Sequence, residues 1–284
     1  LASASASTLH AAARIAEGRQ LTDSALQAAL AEPAEQFAKQ LGLHGIGPRA
    51  FFEHAVPLAS GIEYNRQLVE LTLKKLGIPP SDAKTADLSA AIAALENASA
   101  QVYPQWADDL LNRIRPLSEH WEARGPGLLY NLGNITEPEL LVEQAVVIAV
   151  HPVSGGGGVA HLPYNSVRVE AMMANPHPEL PETARLGWLI SQLHLDLPRY
   201  SEEIPAPIRG RLIEFAMLPP ALAAAEHVEL AAPGMLNSAL VHWLGASPEQ
   251  APRWAEPLGQ WWRAYADVRP RFRTALEGLA SMLP

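Results

Sequence analysis

Apolar positions recur at three- and four-residue steps over most of this chain. Leu88, Ile92 and Leu95, then Val102, Trp106, Leu110, Ile114, Leu117 and Trp121, form the longest run. That spacing is one face of a helix, and a stripe of core residues explains its tryptophans better than a ligand box does. Thr85 is placed to cap the run, Pro104 and Pro116 to break it, and Gly125-Pro126-Gly127 to end it. Upstream, Ser24 and Gln27 have capping-box spacing ahead of Leu26, Ala29 and Leu30. Residues 62–76 read as another helix, stopped by Gly77 and Pro79-Pro80. Downstream, helices are predicted near 181–194, 208–217, 221–228 and 236–244. An aromatic amphipathic tail follows, from Trp254 through Trp261, Trp262 and Tyr265 to Leu279, with Ser247 and Gln250 at its start.

Residues 144–198 break this rhythm. The run 145–150 is apolar on both faces and rich in valine, which suits a buried strand. Residues 166–171 alternate as Ser-Val-Arg-Val-Glu-Ala, predicting a strand with one covered and one wet face. Leu128, Leu129 and Tyr130 predict a short strand after the Gly-Pro-Gly turn, and glycines 155–158 allow the two longer strands to fold back as a loose hairpin. The expected fold class is α+β, predominantly α-helical, with many helices around a small sheet formed near 128–131, 145–150 and 166–171. Without a linker or repeat, residues 1–284 are expected to form a single compact domain. Its parts are a helical N-terminal stretch at 9–124, a strand-bearing centre at 127–198 and a helical C-terminal stretch at 206–283. The Ala/Ser-rich residues 1–8 are read as the remnant of a leader or tag, outside the structure.

Composition narrows the partners. A formal charge of −9, from 21 basic and 30 acidic side chains, disfavours nucleic acid. No run approaches the ~20 apolar residues of a membrane-spanning helix. The absence of cysteine removes disulfides, thiolate metal sites and cysteine nucleophiles. A cytoplasmic location is favoured, with an exported mature chain as the alternative.

Candidate chemistry gathers in the same central stretch. His151 and His161 flank Gly155, Gly156, Gly157 and Gly158; His194 ends the following helix; and Glu170 sits on the alternating strand. An imidazole and a carboxylate in one cluster are the parts of a general acid–base site, so these four are the catalytic candidates. The glycines could bring backbone N–H groups close to a ligand, but they are not followed by the lysine of a phosphate-binding loop. H-E-x-x-H and G-x-S-x-G are absent, and no spacing fixes three imidazoles on a zinc. No metal and no cofactor are expected.

The order of segments resembles the core of zincin-type metallopeptidases. There, a strand lining the substrate cleft precedes a helix bearing H-E-x-x-H, and a later helix adds a ligand. Residues 166–171 resemble the strand, and 181–194 the helix. Trp188 and Gln192 then stand where the two histidines would be, Leu189 where the glutamate would be, and Glu214 or Glu226 at the later ligand. The resemblance implies a scaffold without its zinc motif, in which Gly155–Gly158, Trp188 and Gln192 line a ligand cleft. The expected function is therefore non-catalytic binding of a peptide or small molecule, and the alternative is a hydrolase using the His/Glu cluster. Self-association through the tail's aromatics is a further expectation.

Overall fold

The computed structural model describes residues 1–282. Six helices come first: α1 (Ala4–Ala16), α2 (Ser24–Leu43), α3 (Pro48–Leu58), α4 (Asn65–Lys75), α5 (Asp82–Val102) and α6 (Trp106–Ile135). Strands β1 (Val146–Val150), β2 (Gly158–His161) and β3 (Ser166–Glu170) follow. The chain then returns to helix: α7 (Glu182–Ser191), α8 (Pro198–Ser201), α9 (Ala206–His227), α10 (Leu236–His242), α11 (Ala251–Val268) and α12 (Phe272–Met282). A predominantly helical α+β protein is what the periodicity predicts, and it is what forms. Among the described residues, no helix is long and apolar enough to cross a membrane.

The chain divides into two compact units. Among the described residues, the first comprises 1–115, 147–157 and 168–172, and the second 116–146, 158–167 and the chain from 173 onward. The division falls within α6 and within β3, so no run of linker composition marks it.

In the first unit, α1 packs on α2, α3 and α5, and α2 packs on α5. Phe37, Phe51 and Phe52 meet at centroid separations of 5.3, 5.5 and 6.0 Å. The Ala/Ser-rich start, expected to lie outside the structure, is instead the first helix of this core. Ser3 caps α1 by accepting the N–H of Ala6, while Ala6, Leu9, Ala11 and Ala12 are fully buried. Small side chains are what allow three helices to approach one helix closely. Two other caps also differ from expectation. Asp23, not Ser24, caps α2, and Ser81, not Thr85, caps α5. Gly77 closes α4 at φ +69 as expected.

The sheet order is β1-β3-β2. Val146 N–H donates to Asn165 and Ala171 N–H to Val150, so β1 and β3 run parallel. The hairpin partner of β3 is β2, with Asn165 left-handed at the turn. The expected hairpin of 145–150 with 166–171 is thus corrected to a parallel pair.

Residues 128–131, expected as a strand, are helical. Helix α6 runs unbroken through Pro116 and Gly125-Pro126-Gly127. The glycines serve packing there: a Cβ at Gly125 would come within 2.5 Å of the Trp121 ring. Likewise α9 passes through Pro219-Pro220, joining what the prolines predict as two helices. Its residues around that pair, Ala216 to Leu222, are buried, and packing outweighs the lost N–H groups. In the second unit α7 packs on α9 and β2, and α11 on α10, α9 and α12. The Trp261 indole donates to Ala275, so much of the aromatic tail is closed within the chain itself.

Candidate functional site

Ser7, His10 and Arg14 lie at i, i+3 and i+7 along α1, which aligns them on one face. Each bonds to a segment about 140 to 160 residues later in the chain. Ser7 Oγ accepts the backbone N–H of His151 at 3.1 Å. His10 Nε2 meets Glu170 Oε1 at 2.9 Å. Arg14 Nε donates to Ser154 Oγ at 3.1 Å.

Glu170 is the centre of this group. Its carboxylate accepts the Ser154 N–H on both oxygens, at 3.0 and 3.1 Å, and the Gly156 N–H at 2.8 Å. Gly155 and Gly156 take φ of +78° and +110° to present those N–H groups, a conformation that glycine adopts without strain. The face of β3 predicted to be wet is largely buried: Ser166 is 3% exposed and Glu170 only 2%, with Arg168 between them half-buried. A carboxylate can be buried at this cost because four hydrogen bonds receive its charge.

Electrostatics fix the protonation. Burial opposes the Glu170 charge, but the His10 bond and the loop N–H groups outweigh it and hold the carboxyl down at about 2. Burial first, and then the Arg168 charge, push His10 down to about 4 against the pull of Glu170. Burial likewise lowers the half-buried Arg168 to about 10, which leaves it charged. At neutral pH the pair is a neutral imidazole beside a carboxylate. A carboxylate can only accept, so Nε2 carries the proton and Nδ1 the lone pair. That Nδ1 is buried without a hydrogen-bond partner.

A second imidazole–carboxylate pair lies in the same unit. Asp23 accepts the N–H groups of Ala25 and Leu26, each at 3.0 Å, together with the Tyr103 hydroxyl. His151 Nε2 lies 3.5 Å from its Oδ2. The His151 ring packs 4.7 Å from Tyr103 and 5.5 Å from Trp106, centroid to centroid. Burial, then the Arg113 charge, lowers the His151 pKa; burial and the Asp23 bond push Tyr103 up to about 12. For Asp23, burial is outweighed by the Leu26 N–H and the Tyr103 hydroxyl, and its pKa falls.

Of the four catalytic candidates, His151 and Glu170 come together in the first unit, where the Glu170 charge bears on His151. His161 and His194 belong to the second unit. His161 is buried at the end of β2, and His194 Nδ1 meets the Glu139 carbonyl at 3.2 Å. Gly155, Gly156 and Gly157 fall in the first unit, and Gly158, Trp188 and Gln192 in the second. The Trp188 indole donates to the Glu214 carbonyl at 3.0 Å and stacks on Trp243. The Gln192 amide donates to the Trp188 carbonyl at 3.1 Å, and each side chain is 2% exposed. No group of three His, Asp or Glu among the described residues is arranged to hold a metal ion.

His10, Asp23 and Tyr103 are the residues that sequence reasoning missed. A signal existed for His10: Ser7, His10 and Arg14 share one face of an alanine-rich helix. Compared with protein families, curated proteins and solved structures, the chain has no match.

Proposed function

We infer that the chain is a non-catalytic binding or interaction protein, on a metallopeptidase-like scaffold without a zinc motif, and that its ligand is a peptide or small molecule. The engagement of Glu170 carries this reading. Its carboxylate is taken by His10, Ser154 and Gly156, and it is held far below the range of a general acid. The internal bonding of Trp188 and Gln192 points the same way, since both side chains serve packing rather than chemistry. The test passes a mixed peptide digest over the immobilised full chain and reads retained and unretained fractions by mass spectrometry. Retention of a subset with unchanged termini is expected. New termini, no retention, or stoichiometric zinc surviving dialysis would overturn the reading.

One observation favours a hydrolase instead. A neutral imidazole oriented by a carboxylate, with a lone pair on its far nitrogen, is the arrangement of a general base, and His10 has it. In that reading the digest acquires new termini, and His10→Gln abolishes them while the fold persists.

A further inference from the structure

Residues 154–156 hang from one carboxylate. Both the Ser154 and Gly156 N–H groups end on Glu170, whose other partner is the His10 imidazole on α1. We propose that Glu170 and His10 form an acid-operated latch, closed on the glycine loop at neutral pH and open once His10 takes up a proton. This stands whether or not the binding reading does.

The loop is built to move locally. Its two ends are pinned by backbone bonds, Thr22 N–H to Val153 at one side and Glu170 N–H to Gly157 at the other. Between them, the positive-φ glycines bury no side chain, and a Cβ built at Gly155 would meet only the Thr22 methyl, at 3.8 Å. A further tie, Arg14 to Ser154, is exposed. Losing the carboxylate therefore frees two N–H groups at once, while the flanking bonds remain.

The charges around His10 oppose its protonation. Arg168 on β3 and Arg14 on α1 both face it, with Glu170 as the counter-charge. Helices α2, α3 and α5 also pack on α1 and contribute apolar core residues such as Leu26, Phe51 and Ile92. A proton on His10 places a third cation in that volume, whereas opening admits water to the ring and the carboxylate.

Both groups drive opening in the same direction. In the closed state His10 is held at about 4 and Glu170 at about 2, against ordinary values of 6.5 and 4.5. The open state binds protons that the closed state refuses, so acid favours it. If opening returned both groups fully to their ordinary values, His10 would raise the open-to-closed ratio roughly a hundredfold from about pH 7 to about pH 4. Glu170 would add roughly another fourfold, and these factors are the upper bound.

Hydrogen exchange read by mass spectrometry tests the latch on the full chain, with rates divided by those of the unstructured peptide at each pH. The peptide containing residues 153–157 is expected to lose protection by up to about two orders of magnitude on acidification. Peptides from α2 and α5 should keep theirs. In His10→Gln, which keeps a donor but cannot titrate, the change should shrink to the few-fold contribution of Glu170. Equal pH dependence in both proteins, or loss of protection across the whole unit together, would refute the latch. Should the variant not fold, the comparison of loop and helix peptides in the natural chain decides alone.

Discussion

Gly187 of α7 and Leu128 of α6 share one volume. A Cβ built at 187 would overlap the Leu128 δ-carbon, so the absence of a side chain at 187 is what lets that leucine be fully buried. Gly187→Ala should therefore destabilise the protein by about 1–3 kcal/mol through overpacking, although alanine favours helix. Leu128→Ala should cost less on top of Gly187→Ala than it does alone, because the two residues compete for the same space. Urea unfolding of both single variants and the double reads the coupling, and simple additivity would contradict it.

The two residues at the start of α2 have opposite expected effects. Asp23 caps the helix and receives Tyr103, whereas the neighbouring Ser24 is not the cap. Asp23→Ala removes the cap and strands the phenol, for a loss of about 2 kcal/mol or more. Ser24→Ala should change stability by less than about 0.5 kcal/mol. Denaturant midpoints of the pair measure this, and equal losses would mean that the capping role is misplaced.

Alkaline titration should divide the tyrosines. Tyr103 and Tyr265 are both pushed up to about 12, chiefly by burial, with a nearby carboxylate adding to it in each case. The native state keeps those protons while the unfolded chain ionises near 10, so the stability they contribute is complete below pH ~10 and is lost as pH rises toward 12. Phenolate absorbance should show a late class that contains both, with Tyr200, also raised by burial, above its ordinary value. Asp23→Asn should return Tyr103 toward the others and leave Tyr265 in place. A single titration step for all six tyrosines would argue against it.

Much of the helical layout was legible because packing and periodicity agree. The stripe from Leu88 to Leu110 and the Gly77 stop are examples, and so are the strands at 146–150 and 166–170. The errors have a common cause. Pro116, Pro126 and the Pro219-Pro220 pair all read as breakers, yet each lies inside a helix that tertiary contacts hold together. Gly125 reads as a turn and is a packing position. Ser166 and Glu170 read as a wet face, because alternation reports polarity and cannot reveal that His10, far away in sequence, will bury the carboxylate. The candidate site was half visible for the same reason. His151, Glu170 and the glycines lie close together in sequence, whereas Ser7, His10, Asp23 and Tyr103 reach them only through the fold.

That distance along the chain bears on how the protein is made. The backbone N–H of Ala149 donates to the carbonyl of Leu1, and Ala2 pairs with Ala149 in a parallel bridge. The His10 side chain likewise bonds to Glu170, 160 residues further on. During synthesis the first helix therefore leaves the ribosome long before its strand partners exist. At roughly 5–20 residues per second, several seconds separate Arg115 from the last strand segment of its unit. Over that interval the polar stripe of α1 has no partner segment to receive it. Helix α1 is made well before the strand segments that bond its polar face, and until they arrive its unit depends on helix-to-helix packing alone.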